Sequence, residues 1–365
     1  MKERFKVFLF IPNLQVGGAE NTVRQLAIRL NRALIDCCVC CITGEGPFVK
    51  SIRDAGIPVI VFEKKGKFDI FIWVKVFRFL RLHSPSIVHS FLFTSGFWVS
   101  IPAFIVRHTI PVYSIRSIYE QNPWWVAFIE KWFILPFARK ITFVSANAMD
   151  SYINKLPSLL RKSIVIPNGV DINRFSQFFS NPDANRIIAV GRLDAAKGYD
   201  VLLQAFWLVK KLRPKASLKI VGEGPCRQKL EKLAVDLQLN PQEIFIGESQ
   251  QIPQLLASSS IYISASLWEG IPNAHLEAMA SRKAIIATSV GGVPEILDSR
   301  SAYLVPPNNV DELAKGMIAL LDNQGLRLKL AHCAWERVQN DFSIESMISK
   351  YEAFYQSLLP NDISG

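Results

Sequence analysis

Short apolar runs alternate with amphipathic stretches along nearly the whole chain. In the first half the runs fall at residues 6–11, 37–42, 59–62, 87–90, 112–115, 141–144 and 164–166. Between most of them apolar residues recur three and four positions apart, as in 21–32 and 70–82, which predicts helices that bury one face. The pattern then restarts, with runs at 187–190, 218–221, 244–246, 261–264 and 284–287 and helical stretches such as 201–212 and 226–237. This rhythm predicts βα units around a parallel sheet, built twice. Residues 175–185 between the two series are largely polar and contain Pro182, the character of a linker. The expectation is therefore an α/β chain with two doubly wound domains, 1–176 and 186–341, joined by a linker at 177–185. Ligands of such sheets bind at the carboxyl ends of the strands, so two such edges are expected to face one central cleft.

Composition fits that division. A chain of 365 residues, half of them hydrophobic, holds enough material for two cores, and 20% charged residues is ordinary globular composition. A net charge of +11 points to an anionic partner, whether phosphate, acidic lipid or nucleic acid. Cys37, Cys38, Cys40 and Cys41 crowd one predicted strand. A flat strand points neighbours to opposite faces, so small core residues are expected there rather than a metal site or disulfides, which suits a reducing cytoplasm. The chain enters a strand at once, without the charged and apolar segments of a secretion signal. Its longest mostly apolar run, 91–106, is short for a membrane span and predicts a buried or surface-dipping helix.

Three turns carry candidate chemistry. In residues 263–280 a strand ends near Ser264, Glu269 and Gly270 follow in a loop, and Pro272 or Asn273 opens a helix. The amides around Gly270, Ile271 and Asn273 then form an anion site at a helix N-terminus. Glu277 falls in or near the first turn, so one loop carboxylate and one helix carboxylate can hold two parts of one ligand. The alternative is that Glu277 only complements the helix dipole while Glu269 is solvated. In residues 188–198 a strand runs into Gly191, with Arg192 and Lys197 in the loop that follows. Two cations there can neutralise a diphosphate, or simply form an exposed basic loop. Gly17 and Gly18, after the first strand, allow close backbone approach to a ligand or a tight turn, and do not make a dinucleotide fingerprint. Gly222 and Gly224, the run 167–171 and the run 291–295 read first as turn chemistry.

In their order these pieces resemble the family 4 retaining glycosyltransferases of GT-B architecture, also called glycosyl transferases group 1. The matching residues are Gly17-Gly18-Ala19-Glu20, Pro167 to Asp171, Gly191-Arg192-Leu193 with Lys197-Gly198, Gly222 to Pro225, the pair Glu269 and Glu277, and Gly292 to Glu295. The resemblance implies two Rossmann-like domains and a closing segment, 342–365, whose helix crosses back to the first domain. It implies that Arg192 and Lys197 grip the donor diphosphate and that Glu277 holds the ribose hydroxyls. Glu269 would lie beside the transferred sugar, and the stretch Gly270, Ile271, Pro272 and Asn273 would touch sugar or phosphate, through the amides of its non-proline residues. Gly222 and Gly224 would line the donor site, and Gly17 and Gly18 would approach the diphosphate from the other domain. The family transfers a sugar from a nucleotide-sugar, here with a UDP-sugar favoured, by front-face attack without a metal or cofactor. The chain accordingly lacks an Asp-x-Asp triplet.

The chain departs from the family at Arg116-Ser117, where many relatives carry histidine; Arg116 is a candidate contact for an anionic acceptor. His89, at a predicted strand end, is a second acceptor-side candidate. The first domain also gathers aromatics and cations, including Phe91, Trp98, Lys64, Lys65, Lys67 and Lys131. Trp124 and Trp125 after Pro123, then Phe128, Trp132 and Phe133, suit a helix lying in a lipid interface. A glycan or lipid-linked acceptor, as in cell-surface polysaccharide assembly, and peripheral contact with the anionic inner face of the cell membrane are expected. The other readings are a sugar-nucleotide epimerase or phosphorylase, or a non-catalytic nucleotide-sugar or membrane-binding subunit. No nucleic-acid module is visible.

Overall fold

The computed structural model describes residues 4–66, 69–178 and 182–359. Lys67, the centre of the expected linker and the last residues of the closing segment lie outside them. The chain forms two compact units, one of residues 1–168 with 345–365 and the other of residues 169–344.

In the first unit every apolar run of the first series is a strand: β1 (Phe5–Ile11), β2 (Ile35–Cys41), β3 (Val59–Val61), β4 (Ile87–Phe91), β5 (Ile110–Ile115), β6 (Lys140–Phe143) and β7 (Ser163–Val165). They form one parallel sheet in the order β3-β2-β1-β4-β5-β6-β7, with Phe5 opposite Ile35 and Ile11 opposite Cys41. Both faces of a parallel sheet are covered by helices, which is why β1, β2 and β4 read as continuous apolar runs. The helix Phe71–His83 buries Ile72, Val76 and Leu80, a spacing of four that gives it one apolar face. All four cysteines of β2 are buried free thiols, and burial pushes Cys37 and Cys40 up and Cys41 up to about 12. The run 91–106 forms the helix Leu92–Ile105, which buries Trp98, Val99 and Ala103 and exposes Phe104 and Ile105 at its end. Among the described residues no helix is long and apolar enough to cross a membrane.

The second unit repeats the winding with β8 (Asp183–Val190), β9 (Ser217–Val221), β10 (Phe245–Gly247), β11 (Ser259–Ser264), β12 (Ala284–Thr288) and β13 (Tyr303–Val305), in the order β10-β9-β8-β11-β12-β13. β13 is not anticipated by the pattern, because three residues before Pro306 are too few to show a period. The boundary also moves. The first unit closes at Asn168, not 176, because Val170 bridges to Ser343 and Phe175 is buried in the second unit's core. Residues 183–185 of the expected linker already belong to β8. The closing helix, Ile344–Leu358, belongs almost wholly to the first unit: the Asn31 amide donates to Glu352 at 2.7 Å, and Tyr351 and Tyr355 are buried.

Candidate functional site

The loops after β8, β9, β11 and β12 meet at the carboxyl edge of the second sheet, and their glycines show how closely. A Cβ on Gly222 would stand 2.1 Å from the Gly191 carbonyl oxygen, and one on Gly224 would stand 2.4 Å from that of Leu193. Loop-to-loop packing therefore accounts for Gly222 and Gly224 without a ligand. Asp194 caps a short turn over Ala195–Lys197, and the Leu267 amide donates to the Ala196 carbonyl at 2.7 Å. This brings Lys197 against Glu269. The two side chains form an ion pair and are 24% and 11% exposed. Behind Glu269, Gly291 has φ +52, and a Cβ there would lie 1.8 Å from the Glu269 carbonyl oxygen. The Gly292 amide donates to the Gly270 carbonyl at 3.1 Å, so the loop after β12 holds the one carrying the carboxylate.

Pro272 precedes the helix Asn273–Ala280, which has no side-chain cap, and Ile271 is buried in the core below. Glu277 lies in the second turn of that helix and not in the first, since the helix opens at Asn273. Burial raises its carboxyl to about 7, against the Arg174 charge, which draws it down. Among the described residues its carboxylate takes no hydrogen bond. Arg192 is exposed at the same edge, with no side-chain partner among the described residues. The structure thus brings Lys197 and Glu269 into contact, while Arg192, in the loop after β8, and Glu277, on the helix Asn273–Ala280, make no side-chain hydrogen bond among the described residues.

Sequence reasoning missed what stands behind Glu269. The Ser266 hydroxyl donates to its Oε1 at 2.7 Å, Ser264 and Ser266 hydroxyls lie 3.0 Å apart, and Tyr262 meets His275 Nδ1 at 3.3 Å. Burial, with the nearby Lys197 charge, lowers His275 to about 3 and keeps the ring neutral. The available signal was the alternation in Tyr262-Ile-Ser-Ala-Ser266, where every second residue bears a hydroxyl.

In the first unit the expected residues behave differently. Gly17 precedes the helix Gly18–Arg29 in an extended conformation, φ −168, which does not demand glycine. His89 is corrected: it is mid-strand and fully buried, with Nδ1 2.8 Å from the Tyr355 hydroxyl and Nε2 3.3 Å from Thr142 Oγ1. Both ring nitrogens are occupied under the closing helix, so it is no acceptor-side group. Arg116 follows β5, donates to Asn168 Oδ1 at 2.5 Å and lies over the Phe91 ring. Its Nε and Nη2 are buried without a hydrogen-bond partner among the described residues. A carboxylate that the sequence does not flag, Glu130, is buried where the helix Trp124–Ile129 passes into the π turn Glu130–Ile134; it accepts from the Tyr113 and Tyr152 hydroxyls, each at 2.7 Å. Outside that clamp Trp124 is 81% exposed, and Trp125, Phe128, Trp132 and Phe133 are exposed with it, whereas Phe91 and Trp98 are core.

Comparison with known proteins matches both halves. The family model for glycosyltransferase family 4 matches residues 16–174, and that for glycosyl transferases group 1 matches 171–336. A UDP-Gal:alpha-D-GlcNAc-diphosphoundecaprenol alpha-1,3-galactosyltransferase of Escherichia coli is 24% identical over 79% of each chain. An uncharacterized glycosyltransferase of Haemophilus influenzae is 32% identical over 46% of this chain, and the match spans under half, 47%, of that relative. The fold is that of Anabaena HepE solved with UDP and glucose (TM-score 0.86, 20% identity, 97% and 100% of the two chains). It is also that of the sucrose-phosphate synthase of Thermosynechococcus elongatus (TM-score 0.79, 20% identity, 97% and 99%). The architecture is GT-B.

Proposed function

The chain belongs to the group 1 glycosyltransferases of GT-B fold, and from that premise we propose that it moves a sugar from a nucleotide-sugar to a glycan or lipid-linked acceptor with retention at the anomeric carbon. The observation that carries this reading is the Lys197–Glu269 pair, fixed by interlocked loops at the carboxyl edge that also carries Arg192, exposed and without a side-chain partner among the described residues. In the reaction the bond from the sugar's C1 to the diphosphate oxygen breaks and its electron pair stays on that oxygen. The acceptor hydroxyl bonds to C1 from the same face, and its proton passes to the departing diphosphate. Arg192 and Lys197 neutralise the charge that grows there, in place of a metal. Glu277 takes the ribose hydroxyls, and the Gly270 and Asn273 amides touch sugar or phosphate.

A UDP-sugar is favoured because Anabaena HepE carries UDP and glucose, and a lipid-linked acceptor because the Escherichia coli relative is named for one. The exposed Trp124 face and the net positive charge support contact with an anionic membrane surface from the cytoplasmic side, with Arg116 toward an anionic acceptor. The test is to screen UDP-, GDP- and ADP-sugars for protection against thermal unfolding, then to follow transfer to membrane lipid extracts. Glu277→Ala should weaken donor binding, while Arg192→Ala and Lys197→Ala should slow transfer about 10²-fold or more. Wild-type rates in all three would remove the assignment, and donor epimerised without acceptor would replace transfer with isomerisation.

A further inference from the structure

β11 and the two residues beyond it present alternate side chains to opposite faces. Ile261, Ile263 and Ala265 enter one core of the second unit, while Tyr262 enters the other, against the helix Asn273–Ala280. On that second face, Ser264 and Ser266 follow Tyr262 at the strand period, and His275 meets Tyr262 from the helix, ring edge to ring face at 72°. Tyr262, Ser266 and His275 are each only 1% exposed. Buried polar groups in this number are costly unless each is satisfied by the next.

We propose that Ser264 and Ser266 form a one-way chain of hydrogen bonds that positions the Glu269 carboxylate for sugar transfer, a role that rests on the donor-site reading given under Proposed function. Counting protons fixes its direction. Each hydroxyl has one hydrogen. Ser266 gives its own to Glu269 at 2.7 Å, so its oxygen is free to accept from Ser264 at 3.0 Å. Behind the serines on the same face, the Tyr262 hydroxyl pairs with His275 Nδ1 at 3.3 Å. Both serine donors therefore point toward the carboxylate. Ser266 itself is anchored, since Thr288 Oγ1 donates to its carbonyl at 2.6 Å. Lys197 holds Glu269 from the solvent side and the chain holds it from the core. These two are positioning residues: neither need touch the substrate.

The test is steady-state transfer by the full chain with Ser266→Ala, Ser264→Ala, Ser266→Thr and the double Ser266→Ala/Ser264→Ala, alongside Glu269→Ala. Ser266→Ala should lower kcat about 10-fold or more with donor KM within about 2-fold, and Ser264→Ala about 3-fold. Ser266→Thr, which keeps the hydroxyl, should restore most of the rate. In a linear chain the double variant should be no slower than Ser266→Ala alone. Multiplying losses, or wild-type kcat in both single variants while Glu269→Ala is slow, overturn the chain and leave the donor site standing. Wild-type kcat in Glu269→Ala overturns the donor-site reading itself and the chain with it. Should Ser266→Ala not fold, Ser264→Ala weakens the chain from its far side and is read the same way.

Discussion

The two units wind their strands in the same order, 3-2-1-4-5-6, with a seventh strand added to the first, yet they use their polar residues in opposite senses. The second turns charge toward the carboxyl edge. Lys197 and Glu269 meet there, and the loops bearing them are packed so closely that their glycines have no room for a side chain. The first turns its polar groups inward. His89 is covered by Tyr355, Arg116 rests on Asn168, Glu130 is clamped by two tyrosines, and outside that clamp Trp124, Trp125, Phe128, Trp132 and Phe133 face outward. Shared winding decides where loops gather and leaves open what they do.

Substitution of one glycine in each unit should show the contrast most strongly. Gly291→Ala must relieve a backbone clash at a left-handed residue, so it should cost about 2–4 kcal/mol in unfolding and lower transfer about 10²-fold through displaced Glu269. Gly17→Ala meets only the movable end of the Glu20 side chain in extended backbone, and its unfolding should stay within about 1 kcal/mol of wild type. Equal losses would dissolve the distinction between locked and open turns.

Next in size, Glu130→Leu strands the Tyr113 and Tyr152 hydroxyls in the first unit. It should destabilise the protein by about 3 kcal/mol in denaturant titration while protection by UDP survives in what remains folded. A smaller effect reads Glu277 through pH. The folded state holds the Glu277 proton to about pH 7, against 4.5 for the free carboxyl. Its contribution to stability is therefore full below about 4.5 and is lost as pH rises through 7. Glu277→Gln should gain in thermal midpoint on wild type across that window, whereas wild-type donor KM should fall over it as the carboxylate forms. Flat curves for both proteins would deny that the group titrates there. The smallest expected change in transfer is that of Trp124→Ala with Trp125→Ala, assayed on a water-soluble acceptor, while binding to anionic vesicles at low salt should fall several-fold. Vesicle binding as strong as wild type would leave that face without a lipid role.

Much of the fold was legible because strands buried on both faces read as unbroken apolar runs, and the runs of both series coincide with strands. The boundary was not. Val170 and Phe175 look like ordinary residues on the way to a polar stretch, and only the Ser343 bridge and the second core show that they belong beyond it. At the site, Glu269, Lys197 and Glu277 stood out by spacing around loops. Ser266 and His275 did not, because a serine in a strand and a histidine in a helix read as incidental until the strand face and the helix face are seen to meet. Glu130 was invisible for the opposite reason: a carboxylate beside Lys131 in a helix reads as solvated, and its partners lie 17 and 22 residues away. His89 was misjudged by where its strand was taken to end.

The cysteines of β2 give the first unit a recording property. Cys37, Cys38, Cys40 and Cys41 are enclosed, and at least three are held as thiols rather than the nucleophilic thiolate. An alkylating reagent should meet them only when β2 leaves the sheet. Cys226 and Cys333, partly exposed in the second unit, offer an internal standard on the same chain. The ratio of the two labels after a timed pulse, read by peptide mass, would then measure how often the first unit opens while the second stays shut, and whether a bound nucleotide-sugar quiets one unit or both.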